Sequence, residues 1–198
     1  MNKYFIILLF LISNSLFSQT SLDSLILVKI NEYRISLKRK PLEWDSTIYK
    51  GAIHHSRYIY YDNLEEIEWS KDLDKMMPYV RSGHGEDRYN ISIPNKSFVE
   101  RAIEYGFIME CVYTVTGRMS FTEEYFATLT VEAWKNSPGH DKVLRTRNIR
   151  FAGVGTVVFY MDNVRNYNWQ TIRVYKRRDQ FFDETKSMIF LTSTFNCR

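Results

Sequence analysis

Apolar residues recur at three- and four-residue steps early in the chain and give way to β-branched and aromatic runs near its end. From Ser21 to Leu37, the residues Leu22, Leu25, Ile26, Ile30, Tyr33 and Leu37 fall on one face of a helix. Lys38, Arg39 and Lys40 suit the negative end of that helix, and Pro41 stops it. Asp45 is a good N-cap for a second helix, with Ile48, Ala52, His55 and Ile59 along one face. Asn63 to Arg81 reads as a short helix in a surface excursion, and Ser82 to Pro94 as a loop. Ser97 and Glu100 form the S-x-x-E capping box of a short helix that ends near Gly106. The run "FIMECVYTV" is apolar and β-branched and predicts a buried strand. Ser120 and Glu123 repeat the S-x-x-E signal before a helix over Thr122 to Lys135, with Phe126, Leu129, Ala133 and Trp134 turned inward. Pro138 and Gly139 break it. After a short turn of helix come "RFAGVGTVVFY", "NWQTIRVYK" and "SMIFLTSTF", whose spacing predicts antiparallel strands. Helices on a small antiparallel sheet make an α+β layered fold.

The chain has 198 residues, no internal repeat and no low-complexity linker, which predicts one domain. With 44% hydrophobic residues it can bury a core. Its net charge of +4 mixes both signs and forms no dense basic stripe, which argues against a nucleic-acid partner. The N-terminus "MNKYFIILLFLISNSLFSQ" has an early lysine, an apolar run from Tyr4 to Ile12 and then polar residues. That pattern predicts a signal peptide over residues 1–18, cleaved near Ser18/Gln19, and a single domain over 19–198. The apolar run is short for a bilayer, so no transmembrane segment is expected in the mature chain. The protein is expected to be secreted or periplasmic. An oxidising compartment permits a disulfide between Cys111 and Cys197, the only two cysteines; two separate buried thiols are the alternative.

Four stretches in order are similar to those of one family. "INEYRISLKRKPLEWD" is similar to an opening N-x-x-R helix followed by a leucine and Trp-Asp. "AIHHSRYI" is similar to an A-x-x-H-[AS] second helix. "HGEDRYNISIPNKSFVERAIEYGFIMECVY" is similar to a histidine, an arginine-containing helix, a glycine and a Gly-Glu-Asn strand. "AWKNSPGHDKVL" and the later "FAGVG" are similar to a Trp, Ser-Pro-Gly-His and Gly-Val-Gly run. On these motifs the chain resembles the short bacterial branch of the CAP superfamily, the SCP or PR-1-like group of cysteine-rich secretory, antigen 5 and pathogenesis-related proteins. The resemblance implies an α-β-α sandwich with a central cleft lined by histidines and acidic residues. Carried over by position, the cleft residues are His84, Glu110 and His140. Three features depart from the pattern. Met109 and Cys111 stand where Gly and Asn are usual around Glu110. Ser137 stands three residues beyond Trp134, where longer members carry a second Glu. Asn63 to Arg81 has no obvious counterpart.

Two neutral imidazoles and a carboxylate are a donor set for zinc or a similar divalent cation. His84, Glu110 and His140 lie 26 and 30 residues apart, so only the fold can bring them together. The metal ligands expected from the resemblance are His84 and His140, with Glu110 the candidate acid–base or catalytic group. Ser137 reads as turn chemistry, and the Cys111 thiolate is disfavoured beside Glu110. His55 reads as a hydrogen-bonded structural histidine, His54 as solvent-facing, Glu43 as surface, and Tyr58, Tyr60 and Tyr61 as packing. Three functions are consistent with this. The leading one is an exported binding protein whose His/Glu cleft holds a divalent cation or small ligand from the medium or cell envelope. A metal-assisted hydrolase using the same cleft, and a surface interaction module with a vestigial cleft, are the alternatives. A lipid is a candidate ligand by weak analogy with eukaryotic members.

Overall fold

The computed structural model describes residues 21–70, 83, 84, 86, 94–117, 122–162 and 187–198. Among them are five helices and four strands: α1 (Ser21–Ser36), β1 (Glu43–Trp44), α2 (Ser46–Ser70), α3 (Phe98–Tyr105), β2 (Met109–Gly117), α4 (Glu123–Lys135), α5 (Pro138–Leu144), β3 (Phe151–Asp162) and β4 (Ser187–Cys197). The sheet order is β1-β3-β4-β2. β3 pairs antiparallel with β4, as the sequence predicts, and β2 pairs antiparallel with the other side of β4. β1 adds a two-residue parallel pairing to β3, which makes the sheet mixed. The expected export segment, the strand at "NWQTIRVYK" and residues 71–81 of the excursion lie outside the described residues. Helix α2 itself runs on to Ser70, so the first part of that excursion is helical.

The two faces of the sheet differ in chemistry because side chains alternate along each strand. On one face Cys111, Phe195, Cys197, Ala152 and Val154 join Leu22, Ile26 and Ile30 of α1 and Phe126, Val131 and Trp134 of α4 in the main apolar core. On the other face Glu110, Asn196 and Gly153 lie side by side in register, followed by Thr194 and Gly155. Helix α2 covers this polar face closely. A Cβ on Gly153 would stand 2.2 Å from the Tyr49 nitrogen, and one on Gly155 2.3 Å from the Ile53 nitrogen. Only glycine admits the helix backbone at that distance. Ser56 then bonds the Gly155 carbonyl (2.7 Å) and Thr194 Oγ1 (2.9 Å).

The motif residues Asn31 and Arg34 explain themselves as ties. Asn31 clamps both backbone groups of Leu42 at 2.7 and 3.0 Å. Buried Arg34 donates to the carbonyls of Lys40, Leu144 and Thr146, which fixes the C-terminal end of α5. Asp45 caps α2 as predicted, accepting from Thr47 N and Ile48 N. The Ser97/Glu100 capping box is formed, and α3 ends on Gly106 at φ 66°. The cap of α4 is Thr122, which accepts from Tyr125 N. The buried face of α4 is Phe126, Ala127, Thr130, Val131 and Trp134, while the expected Leu129 and Ala133 are half-buried.

The expected Cys111–Cys197 disulfide is not formed; both residues are buried, free thiols. Cys111 opposes Phe195 and Cys197 opposes Met109, so the two share a face on a cross-strand diagonal. Such diagonals separate Cα atoms by about 7–8 Å, beyond the usual disulfide span of about 4.4–6.8 Å. Burial pushes the Cys197 thiol up to about 12, and burial with the nearby Cys197 and Glu110 raises Cys111 further.

Candidate functional site

Glu110 and His84, far apart in sequence, meet over the polar face of the sheet, and His140 comes in beside His84. Glu110 is carried by β2 and its carboxylate is fully buried. His84 comes from the segment before α3, with 47% of its side chain exposed, and its Nδ1 lies 3.1 Å from Glu110 Oε1. His140 comes from the first turn of α5, where Ser137 is the N-cap and Pro138 opens the helix. Its ring stands edge-on to His84 with centroids 6.0 Å apart. Burial, then the neighbouring His84, holds the His140 imidazole below the usual histidine range, which favours its neutral form. The Ser-Pro-Gly turn thus ends α4 and aims His140 at His84.

Glu110 is bound on both oxygens. Arg101 Nη2 donates to Oε1 at 2.8 Å, beside the His84 contact. With the Asn196 amide turned so that its nitrogen faces Glu110, Nδ2 donates to Oε2 at 3.1 Å. Asn196 lies directly opposite Glu110 in the β2–β4 register, on the same face of the sheet. Both oxygens therefore act as acceptors, and the His84 Nδ1 is the donor. In the neutral imidazole that tautomer leaves His84 Nε2 as the acceptor.

Beneath this pair lies a second buried carboxylate, Glu86, which the sequence reading missed. Its Oε1 faces Arg101 Nη1 at 2.9 Å and His55 Nδ1 at 2.8 Å; its Oε2 accepts from Lys96 N at 2.6 Å. Burial pushes Glu86 up, but His54, His55 and the Arg101 guanidinium more than offset this and hold it at about 2. Arg101 bridges the two carboxylates and also donates to the Lys96 and His84 carbonyls. His55 is fully buried, as a structural histidine should be, but its partners are these site residues. His54 does not face solvent: its side chain is 14% exposed and Nε2 lies 3.4 Å from Glu86 Oε2. Glu43 is a surface residue, paired with exposed Arg150.

The arrangement places two imidazoles at the surface of a buried network in which two carboxylates share one guanidinium. Among the described residues no group of three or more His, Cys, Asp or Glu side chains is set to hold a metal ion. Glu110 is committed to Arg101, Asn196 and His84, which removes it as a third ligand. What it does fit is the outer-shell role, a carboxylate accepting the second ring N–H of a metal-binding histidine. The donor set is therefore that of an open two-imidazole site rather than a closed structural centre.

The sequence profile of the cysteine-rich secretory protein family, CAP, matches residues 27–170. Comparison with curated proteins returned no match. Among solved structures, the chain is similar to an extracellular protein containing an SCP domain from Bacillus anthracis str. Ames, at 18% identity and a TM-score of 0.47. The match covers 88% of this chain and 40% of that longer protein. An outer surface protein from Borrelia burgdorferi is similar at 18% identity and a TM-score of 0.44, over 90% of this chain and 94% of that one.

Proposed function

This chain belongs to the cysteine-rich secretory protein family, CAP, and from that premise we propose that it is an exported binding protein whose cleft takes a divalent cation or small ligand between His84 and His140. The observation that carries this reading is the His84–Glu110 hydrogen bond. It spends the Nδ1 proton on a buried carboxylate and leaves Nε2 free to accept a ligand proton or a cation. His140, favoured in its neutral form, offers the second imidazole. A bound divalent cation would supply Lewis acidity and free coordination positions for a ligand from the medium or cell envelope. Two imidazole ligands make such binding weak and exchangeable.

Calorimetric titration of the purified protein with zinc, beside a His84→Ala/His140→Ala variant, tests this. One ion bound by wild type and none by the variant supports the reading. Equal binding by both, or binding by neither, overturns the cation site.

The same dyad supports a second reading as a metal-assisted hydrolase, because a carboxylate-backed imidazole is also a general base. This predicts that Glu110→Gln abolishes hydrolysis while zinc binding is weakened by about tenfold, as for an outer-shell loss, rather than abolished. Loss of both together, or of neither, would count against it.

A further inference from the structure

No dense basic stripe runs along the sequence, but the fold assembles a basic surface from two distant segments. Buried Arg34 donates to the Lys40 carbonyl at 2.9 Å and to those of Leu144 and Thr146 at 2.7 and 3.0 Å. Arg39 Nε donates to the Arg145 carbonyl at 3.1 Å, across 106 positions of sequence. These bonds seat the C-terminal end of α1 against that of α5. Lys38, Arg39 and Lys40 are thereby joined by Lys142, Arg145 and Arg147, and all but the half-buried Arg39 are exposed.

Cations suit the carbonyl ends of helices, and two of these six are used in that local way. Arg39 donates to the Leu37 and Arg145 carbonyls, and Arg145 pairs with Asp141 at 3.0 Å. The other four, Lys38, Lys40, Lys142 and Arg147, make no side-chain hydrogen bond or ion pair among the described residues. Of the acids nearby, Asp141 is shared by Arg145 and the Tyr33 hydroxyl, Glu43 is paired with Arg150, and exposed Glu32 lies on the preceding turn of α1. The excess is therefore positive. Lys38 stands out on a second ground. Helix α1 ends with Arg39 N on the Arg34 carbonyl and Lys38 N on that of Ile35, and Lys38 takes φ 56°. That is the left-handed closing position, where glycine is the unstrained choice. A lysine held there puts charge where the backbone does not favour a side chain.

Beside these cations lies a groove of about 490 Å³, lined by Pro138, Asp141, Lys142, Arg145 and Thr146. That size falls within the range of small-ligand sites, about 300–1,000 Å³. No free aromatic ring offers a platform for stacked bases: Tyr33 is bonded to Asp141, and Lys135 Nζ covers its ring at 5.0 Å. A lipid surface is flat and asks for a broad apolar face, whereas the last turn of α1 exposes one large apolar side chain, Ile35. A polymer with an acidic group on successive sugar units suits both the groove and the cations beside it. We propose that this surface binds a linear acidic polysaccharide. Lys142 and Arg145 hold an acidic sugar unit at the groove, and Lys38, Lys40 and Arg147 meet carboxylates further along the polymer. This binding does not depend on the His84/His140 site.

The test is calorimetric titration of the purified protein with polygalacturonate, a linear carboxylated polysaccharide. Wild type is expected to bind, with affinity falling by about tenfold between roughly 50 and 200 mM salt as counterions are released. Lys38→Gly/Arg147→Ser is expected to keep its urea midpoint, because neither side chain is bonded and glycine suits the left-handed position, yet to lose about tenfold in affinity. Lys40→Ser/Lys142→Ser repeats the test at the other two unbonded cations. Lys50→Ser/Arg57→Ser removes the same charge from exposed positions on α2 and is expected to bind like wild type. No binding by wild type, or an equal loss in this control, overturns the proposal. Vesicles of phosphatidylglycerol are the second probe; tighter binding to them than to the polysaccharide, lost in the patch variants, overturns it in favour of a lipid surface. His84→Ala/His140→Ala is expected to bind polygalacturonate as wild type does, whether or not zinc binds. A loss of polymer binding in that variant would place the polymer in the cleft and overturn the patch.

Discussion

Replacing Arg101 by methionine removes the one guanidinium that joins both carboxylates. Its side chain is fully buried, and it lies 2.9 Å from Glu86 Oε1 and 2.8 Å from Glu110 Oε1. Methionine fills similar space and leaves the shape of the site largely intact. What remains is two buried carboxylates without the guanidinium they share. Breaking a buried ion pair by removing one partner costs about 3–5 kcal/mol, because the other charge is left uncompensated. The Lys96 and His84 carbonyls lose a donor as well, but both lie near the exposed rim, where water can replace it. We therefore expect Arg101→Met to lose about 4 kcal/mol, a large part of the roughly 5–15 kcal/mol that holds a typical domain. Urea unfolding would show this as a lower midpoint at unchanged slope. Adding Glu110→Gln removes the stranded charge, so the double variant should be more stable than Arg101→Met alone. A loss below about 1 kcal/mol, or a double variant weaker than Arg101→Met by the full cost of Glu110→Gln alone, would refute the closed-network reasoning.

Further predictions concern the frame and its titration. Glu86 is held at about 2, below its unfolded value, so its stabilisation is complete above about pH 4.5 and is lost as pH falls towards 2. The integrated effect is on the order of 3 kcal/mol, and Glu86→Gln should flatten urea midpoints across that window; an equal acid slope in the variant would count against it. Gly155→Ala should cost at least the upper end of about 1–3 kcal/mol, because its Cβ would meet the Ile53 backbone at 2.3 Å, whereas Gly139→Ala meets nothing within 4 Å. Thermal unfolding that ranks the two variants equally would contradict the close helix–sheet contact. Ser97→Ala should cost about 1 kcal/mol by opening the α3 capping box, and a neutral result in urea would show that the box contributes nothing. Under non-reducing conditions Cys111 and Cys197 should resist alkylation in the native protein and take two labels once unfolded; mass spectrometry finding none after unfolding would mean a disulfide.

The elements with strong local signals were legible in the sequence. Periodicity gave α1 and α2, the capping box gave α3, and the order of four motifs picked out His84, Glu110 and His140. The network beneath them was not legible, for three physical reasons. Glu86 sits among polar loop residues, where a carboxylate looks solvated; contacts from α2, α3 and the Lys96 backbone are what bury it. Helix α3 inverts the usual pattern, with Arg101 inward while Val99 and Ile103 face out, Ile103 at 79% exposure. An apolar-in rule therefore turns the helix the wrong way. Asn196 serves Glu110 only through the β2–β4 register, which no local pattern fixes. Register likewise decided against the disulfide, since it sets the two cysteines diagonally. The alternation of Thr192, Thr194 and Asn196 along β4 was the one available hint that this face is polar.

The central claim is that His84 and His140 form one site backed by Glu110. The most direct measurement follows both ring signals by NMR while zinc is added to wild-type protein. The account predicts that the two histidines respond together with one midpoint, and that His84 keeps its proton on Nδ1 throughout. A response from only one ring, separate midpoints, or no response from either would contradict a shared site.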